Sequence, residues 1–258
     1  MKNLNINSLF NFYKKTVIIT GSNGQIGSSL VGLFLNLGAK VYGFDKSKNK
    51  IKHANFNFVK SNITNKKLIV NKINNIIKKE KKIDIIINNA GAAVFSKYYK
   101  RTEKELDITI NTNIKGVLNI INAYVAAHKK NNLRSCRIIN IGSIYGFLSP
   151  DFRIYGKGDN YSSEIYGATK AAVIQLTKYY SVILSKYKIN VNCLSPGGIY
   201  NDKMPQNKKF IKNYSNRVPQ LKMGSVENLF TGILFLASDN SGYVNGQNII
   251  IDGGLSSW

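Results

Sequence analysis

Residues 16–36 read TVIITGSNGQIGSSLVGLFLN. The first five form a short β-branched run typical of a buried strand, and apolar residues over 26–37 recur at helical spacing. Gly21, Gly24 and Gly27 lie between the two segments. Glycines in a strand-to-helix turn let a pyrophosphate approach the backbone, and the helix N-terminus favours its negative charge. The stretch therefore predicts a strand, a dinucleotide-binding turn and a helix.

The same alternation of strand and helix continues along the chain. The segments that predict strands are 16–20, 39–44, 56–59, 83–87, 137–141, 189–194 and 248–251. The segments that predict helices are 26–37, 66–79, 103–130, 166–186 and 226–237. Strands that are apolar on both faces and separated by helices predict an α/β doubly wound Rossmann fold, with a seven-stranded parallel sheet and helices on both faces. Because the chain has only four prolines and no Pro/Gly/Ser-rich linker, we expect residues 1–258 to form a single domain.

Composition narrows the class of protein and its surroundings. Hydrophobic residues make up 43% and charged residues 19%, as in globular proteins. The net charge is +24, but the lysines are dispersed without a run of five or six, which argues against a specific nucleic-acid partner. No segment is long and apolar enough to predict a membrane span. Cys136 and Cys193 lie far apart and only two histidines accompany them, so we expect core thiols, no metal site and a reducing, cytoplasmic setting.

The end of the second predicted strand indicates which dinucleotide is bound. Asp45 lies about 20 residues after the glycines, where a carboxylate accepts hydrogen bonds from the adenine ribose and repels a 2′-phosphate. NAD is therefore favoured. The neighbouring Lys46 could pair with the same phosphate, so NADP stays open.

Four further motifs follow strand ends at regular intervals. They are Asn88-Asn89-Ala90-Gly91, Asn113-Ile114-Lys115-Gly116, Asn140-Ile141-Gly142-Ser143 and Tyr166-Gly167-Ala168-Thr169-Lys170. With the glycine turn they make the chain similar to the short-chain dehydrogenase/reductase family, single-domain type. The resemblance continues through Ser195-Pro196-Gly197-Gly198 to Asp252-Gly253-Gly254. It implies an NAD(P)-dependent oxidoreductase that acts on CH–OH groups.

The Tyr166 and Lys170 pair carries the predicted chemistry. One helical turn places both side chains on the same face, where the ammonium stabilises a phenolate and lets Tyr166 act as a general acid/base. The resemblance implies that Ser143 hydrogen-bonds the substrate oxygen, that Lys170 holds the nicotinamide ribose and that Asn113 holds a water of the proton relay. The cofactor contacts it implies are Gly21, Ser22, Asn23, Gln25, Ile26, Asp45, Asn62, Ile63, Asn89, Ala90, Gly91, Tyr166, Lys170, Pro196, Gly197 and Ile199. Asn62 stands where the family usually has an aspartate.

The interval between two catalytic residues is longer than in most of the family. Tyr166 lies 23 positions after Ser143, so the segment 144–165 is predicted to be an insertion beside the substrate. We interpret it as a polar wall for a sugar or sugar phosphate, in which Arg153 and Lys157 bind an anion. The substrate contacts expected from this interpretation are Ser143, Arg153, Tyr166 and Gly198.

The insertion also resembles that of the flagellin-modification oxidoreductases (PtmA-like). This narrower resemblance implies a role in surface-glycan (nonulosonic acid) biosynthesis, and the family resemblance implies a homodimer or homotetramer. Two alternatives stay open: a 3-oxoacyl carrier-protein reductase that uses NADPH, and a catalytically idle nucleotide-binding subunit. The basic surface would suit an acidic carrier protein, whereas Asp45 and the polar insertion disfavour it.

Overall fold

The computed structural model describes residues 9–48, 51–156, 161–202 and 206–258. Seven parallel strands form one sheet in the order β3-β2-β1-β4-β5-β6-β7. Their bounds are β1 Thr16–Thr20, β2 Lys40–Asp45, β3 Phe56–Lys60, β4 Ile85–Asn88, β5 Cys136–Ile141, β6 Ile189–Pro196 and β7 Asn248–Ile251. The predicted doubly wound sheet is confirmed, and each predicted strand overlaps an observed one.

Seven α-helices connect these strands within the described ranges. Their bounds are α1 Gln25–Asn36, α2 Lys66–Glu80, α3 Glu103–Ile110, α4 Gly116–Asn131, α5 Glu164–Leu184, α6 Lys208–Ser215 and α7 Phe230–Ala237. The single helix predicted over 103–130 is wrong in one respect, because a π-helical turn at Asn111–Lys115 separates α3 from α4. The helix predicted over 226–237 starts as a 3₁₀ turn, Val226–Leu229, and α6 was not predicted.

The sheet buries both of its faces, as the continuous apolar strands require. One core cluster packs α2, α4 and α5 against one face, with Ile86, Ile138 and Val191 among the strand residues. The other packs α1 and α7 against the opposite face, with Val17, Ile87 and Ile139. Alternate residues of each strand thus serve the two cores, which leaves the strand ends to carry the polar residues of a site.

The strand order fixes where a ligand can enter. The chain runs from β1 outward to β3 and then returns to β4 on the other side of β1. Connections on the two sides diverge at this reversal, which opens a crevice beyond the carboxyl ends of β1 and β4. The glycine turn follows β1 and the Asn89-Ala90-Gly91 segment follows β4, so both predicted motifs lie at the crevice.

The two cysteines lie in the core of the fold. Cys136 and Cys193 are free and buried, and burial raises the pKa of their thiols to about 12 and about 11, respectively. They are core residues, as predicted. Within the part of the chain that the structure describes, no helix has the length and apolar character to cross a membrane.

Candidate active site

The glycine turn is held by the segment that follows β4. The side chain of Asn89 donates to the carbonyls of Thr20 and Gly21, at 3.0 and 3.1 Å. In return, the Thr20 hydroxyl accepts from the backbone N–H groups of Asn89 and Ala90, at 3.1 and 3.0 Å. Gly21 adopts φ +65°, a left-handed conformation that glycine takes without strain. These four bonds fix the turn as a rigid backbone cradle.

Gly27 explains why the first turn of α1 can approach this cradle. A Cβ at Gly27 would overlap the carbonyl oxygen of Gly21 and lie 2.7 Å from the Asn89 side-chain nitrogen. Only hydrogen in place of a side chain allows α1 to pack on the turn. The helix N-terminus, with its unpaired N–H groups and partial positive charge, is thereby placed at the crevice.

A cavity of about 370 Å³ occupies the crevice. It is lined by the predicted catalytic residue Ser143 and by most of the residues predicted to bind the pyrophosphate and nicotinamide parts of a dinucleotide: Gly21, Gln25, Ile26, Asn89, Ala90, Gly91, Tyr166, Lys170, Pro196, Gly197 and Ile199. Gln25 also donates to the carbonyl of Tyr200, which ties the start of α1 to the segment after β6. The structure thus brings the sequence-distant motifs together around one space.

The residues predicted for the adenosine end lie outside that cavity. Asp45 ends β2 beside the glycine turn, where its carboxylate accepts from the backbone N–H of Asn23 at 3.0 Å and that of Ser47 at 3.1 Å. Ser22 is fully buried: its N–H donates to the carbonyl of Phe44 at 3.3 Å, and its hydroxyl has no hydrogen-bond partner among the described residues.

The side chains of Asn62 and Ile63, two of the predicted cofactor contacts, have partners within the protein. The Asn62 side-chain oxygen accepts from the N–H and hydroxyl of Thr64, at 3.1 and 3.0 Å. Ile63 is buried in the core next to Gly116, where a Cβ would lie 2.4 Å from its Cδ1 atom. Ile63 therefore serves packing through its side chain, and a nucleotide contact would have to use its backbone.

The crevice fits a nicotinamide dinucleotide. Its backbone cradle has no room for a Cβ at Gly21 or Gly27, and the Asp45 carboxylate at the end of β2 is bonded to the N–H of Asn23 in the glycine turn. When bound, such a cofactor supplies or accepts a hydride. The residues that would hold it run from Asp45 through the glycine turn to Lys170.

Ser143, Tyr166 and Lys170 converge at the end of β5. Ser143 lies two residues after the end of β5 and is buried, with its hydroxyl accepting from the backbone N–H of Tyr145 at 3.2 Å. Ser163 caps α5 and accepts from the N–H of Tyr166 at 3.2 Å, which places the tyrosine in the first turn of the helix. The Lys170 ammonium donates to the carbonyl of Ile141 at 2.7 Å and lies 5.7 Å from the centroid of the Tyr166 ring. Since Lys170 is buried, its charge acts on Tyr166 with little screening by water.

Asn113 lies in the π-helical turn between α3 and α4. Its side-chain oxygen accepts from the N–H of Ala92 at 2.7 Å, and its nitrogen donates to the Ala92 carbonyl and the Thr169 hydroxyl, both at 2.9 Å. π-helical turns commonly mark functional positions, because they place a side chain out of helical register. Here the turn lets Asn113 join the segment after β4 to α5, between the cofactor crevice and the catalytic helix.

A second, wider cleft of about 700 Å³ adjoins the crevice. Ser143 and Tyr166 line both spaces, so a substrate in this cleft would meet the cofactor crevice at these two side chains. The predicted contact Gly198 lines the cleft as well. The insertion contributes Tyr145, Tyr155 and Ser162, which agrees with its predicted place beside the substrate.

Arg153 lies outside the lining of the cleft, so its role as a contact for a substrate anion stays a prediction. Arg153 is 79% exposed, and its guanidinium pairs with Asp151 at 2.8 and 2.9 Å, outside the lining of the cleft. Its described partner is thus the carboxylate two positions earlier in the chain. The second predicted cation, Lys157, lies outside the described residues.

The cleft is walled by aromatic residues that the sequence pattern did not single out. They are Phe95, Tyr145, Tyr155, Phe210 and Tyr214. Burial raises the pKa of the Tyr145 and Tyr155 phenols above the ordinary range, and that of Tyr214 to about 12. These hydroxyls stay protonated at neutral pH. Among the tyrosines of the cleft, Tyr166 has the Lys170 ammonium beside its ring, which makes it the candidate for proton exchange.

The chain is similar in sequence to known reductases. A family model described as enoyl-(acyl carrier protein) reductase matches residues 21–256. The chain is 34% identical to a 3-oxoacyl-acyl-carrier-protein reductase of Thermotoga maritima, over 93% of this chain and 97% of the relative. It is 30% identical to the protein of the same name from Chlamydia trachomatis, over 94% and 97%.

The chain also superposes on solved structures of dehydrogenases. A short-chain dehydrogenase from Leptospira borgpetersenii, solved with bound NAD+, superposes with a TM-score of 0.90 at 36% identity, covering 99% of this chain and 97% of that one. The aldohexose dehydrogenase of Thermoplasma acidophilum superposes with a TM-score of 0.83 at 22% identity, which shows a common fold.

Proposed function

Since this chain belongs to the short-chain dehydrogenase/reductase family and is an NAD(P)-dependent oxidoreductase of CH–OH groups, we propose that Tyr166, Ser143 and Lys170 carry its proton transfer. The observation behind this proposal is their convergence: Ser143 and Tyr166 line both the cofactor crevice and the wider cleft, and the buried Lys170 ammonium lies beside Tyr166. An idle nucleotide-binding subunit would have no need of this arrangement.

The protein's own part in the reaction follows from these contacts. In the reducing direction, Tyr166 donates its phenolic proton to the carbonyl oxygen of the substrate as that oxygen gains negative charge. The Ser143 hydroxyl donates a hydrogen bond to the same oxygen. Lys170, held by the Ile141 carbonyl, stabilises the resulting phenolate. In the oxidising direction the same groups act in reverse order.

A 3-oxoacyl thioester is the first substrate to test. Curated relatives of 28–34% identity carry the name 3-oxoacyl-acyl-carrier-protein reductase, and 97% of the length of each matches this chain. The wide cleft presents the apolar faces of several aromatic rings, which suit an acyl chain.

A hydroxylated substrate such as a sugar is the second candidate. It is favoured by the polar residues in the lining of the cleft, which include Tyr145, Tyr155 and Ser162. The role in nonulosonic acid biosynthesis remains a prediction, since the named relatives are mainly 3-oxoacyl-acyl-carrier-protein reductases.

We further propose a cytoplasmic homodimer or homotetramer. Tyr179, Val182 and Ile183 form an apolar strip on α5 whose exposures are 58%, 75% and 40%. A strip of this kind is typical of an interface. Sedimentation of the purified protein would give one species of two or four chains, and a monomer would contradict the proposal.

The function is tested by following oxidation of NADH and NADPH in the presence of acetoacetyl-coenzyme A or of a set of keto sugars. Turnover of the thioester would support the reductase assignment, and turnover of keto sugars alone would favour the second candidate. Cofactor binding without turnover of any carbonyl compound would support the idle subunit instead.

A further inference from the structure

Residues 144–156 of the insertion and helix α6 share a small hydrophobic cluster that is separate from the two main cores. Ile154 of the insertion is buried against Tyr214 of α6 and against Val218, which follows the helix. Tyr155 and Phe210 pack against this cluster and also line the wide cleft. Two segments that lie over 50 residues apart in the chain are thus joined at the mouth of the substrate space.

Polar contacts join the same two segments. The Asp151 carboxylate pairs with Arg217, which follows α6, at 2.8 Å, as well as with its neighbour Arg153. Asn213 of α6 donates to the carbonyl of Ile154 at 3.4 Å. The hydrogen bonds from Arg153 hold the pKa of Asp151 below its usual value, so the carboxylate is charged at neutral pH.

Aromatic contacts run continuously from the insertion into α6. The ring of Tyr155 lies 5.6 Å from that of Tyr161 and 5.4 Å from that of Phe210, and Phe210 lies 5.9 Å from Tyr214. The Tyr155 hydroxyl is 3.3 Å from the Tyr145 hydroxyl. Tyr145 in turn donates its N–H to Ser143 at 3.2 Å. The row therefore reaches from the surface to the catalytic serine.

We propose that the insertion and α6 form one specificity unit, in which Tyr155 and Phe210 set the width of the substrate cleft and the Asp151–Arg217 pair holds the two halves together. The unit selects a ketone or alcohol whose substituent presents an apolar face of limited width to these rings. Tyr155 and Phe210 act as specificity-determining residues, and Asp151 acts as a positioning residue. The inference rests on the proposed function, since it concerns the substrate of the same site.

The width of the cleft is tested with Tyr155→Ala and its matched control Tyr155→Phe. Each protein is assayed with a small straight-chain ketone and a bulky cyclic ketone. We expect Tyr155→Ala to raise the ratio of kcat/KM for the bulky over the small ketone by about tenfold, because the ring no longer limits the width. Tyr155→Phe keeps the ring and should leave the ratio within about twofold of the parent. An unchanged ratio in Tyr155→Ala would overturn the role of this residue.

The joining of the two halves is tested without any substrate, by amide hydrogen exchange of the full chain. Asp151→Asn keeps the shape and the capping ability of the side chain but removes its charge. We expect exchange to rise in residues 151–156 and in α6 together, by about tenfold, because the two segments open as one cooperative unit. Asp239→Asn, which breaks a distant pair with Lys15, is the control and should change neither segment.

NADH binding by calorimetry separates this test from that of the proposed function. The residues of the unit do not line the cofactor crevice, so every variant should bind NADH as the parent does. Faster exchange in only one of the two segments, or in neither, would refute the single unit even if the enzyme proved to be an active reductase. A parent protein that binds neither NADH nor NADPH would instead refute the proposed function.

Discussion

The cofactor crevice and the substrate cleft share Ser143 and Tyr166, yet they are built in different ways. The crevice is made of backbone: Asn89 and Thr20 lock the glycine turn, and Gly27 lets α1 pack upon it. The cleft is made of side chains from two segments that meet only in the folded state, including Tyr155 of the insertion and Phe210 of α6.

Because the two regions are built differently, they should tolerate substitutions to different extents. A backbone cradle accepts one ligand group, because its shape is set by hydrogen bonds and by the absence of Cβ atoms. A side-chain wall can be exchanged residue by residue while the sheet beneath it stays the same. Changes in the crevice should therefore abolish function, whereas changes in the cleft should redirect it.

The largest effect is expected at the junction of the two regions. Tyr166→Phe removes the group that exchanges the proton, and kcat should fall about a thousandfold, or about 4 kcal/mol in activation free energy. Steady-state kinetics with the active substrate measures this loss. Calorimetry should show NADH binding close to that of the parent, because the ring that lines the crevice is retained.

Tyr145→Phe is the matched control in the cleft. It removes a phenolic hydroxyl that lies 3.3 Å from that of Tyr155, and burial keeps that hydroxyl protonated. We expect kcat to change by less than about tenfold. An equal fall in kcat in Tyr166→Phe and Tyr145→Phe would mean that both tyrosines take part in proton exchange. The distinction between a residue of the crevice and a residue of the cleft would then fail here.

A smaller effect is expected from Gly27→Ala in the crevice. The added methyl group meets the Gly21 carbonyl and the Asn89 side chain, both held by hydrogen bonds, so unfolding free energy should fall by about 3 kcal/mol. Thermal unfolding and NADH calorimetry together measure the effect, and NADH binding should weaken as well.

Gly32→Ala is its control within the same helix. A Cβ at Gly32 meets nothing within 4 Å, so this change should stabilise α1 by up to about 1 kcal/mol through helix propensity. A Gly27→Ala protein that bound NADH normally would show that the turn adapts, contrary to a rigid cradle.

The same contrast explains how far the sequence could be interpreted. The crevice follows from neighbouring residues: β1, the glycine turn and α1 are contiguous, and Tyr166 and Lys170 lie one helical turn apart. Local patterns of this kind are visible in a single sequence. The interruption of the helix at Asn113 is not, because the five residues of the π-helical turn, NTNIK, include a single apolar residue and so carry no periodic signal of their own.

The cleft could not be predicted in the same way. Helix α6, KKFIKNYS, has only three apolar or aromatic residues in eight, and its role depends on contacts with a distant insertion. Arg153 was expected to bind an anion, but Asp151 pairs with it locally. Charge alone in a polar loop does not show whether a cation is available to a ligand, because the nearest carboxylate competes for it.

The smallest of the three main effects is expected at Asp45, the residue predicted to contact the adenosine end of the cofactor. Asp45 is fixed by the N–H groups of Asn23 and Ser47, so its carboxylate is ready to accept from ribose hydroxyls without reorganising. Asp45→Ala should weaken NADH binding about tenfold, or about 1.4 kcal/mol, while NADPH binding improves because the repulsion of the 2′-phosphate is removed.

Lys46→Ala is the control and should weaken NADPH more than NADH. Calorimetry with both cofactors measures these shifts, and the ratio of kcat/KM between bulky and small ketones should not move in either variant. A moved ratio would mean that the adenosine end and the substrate wall are coupled, and the two regions would then have to be treated as one site.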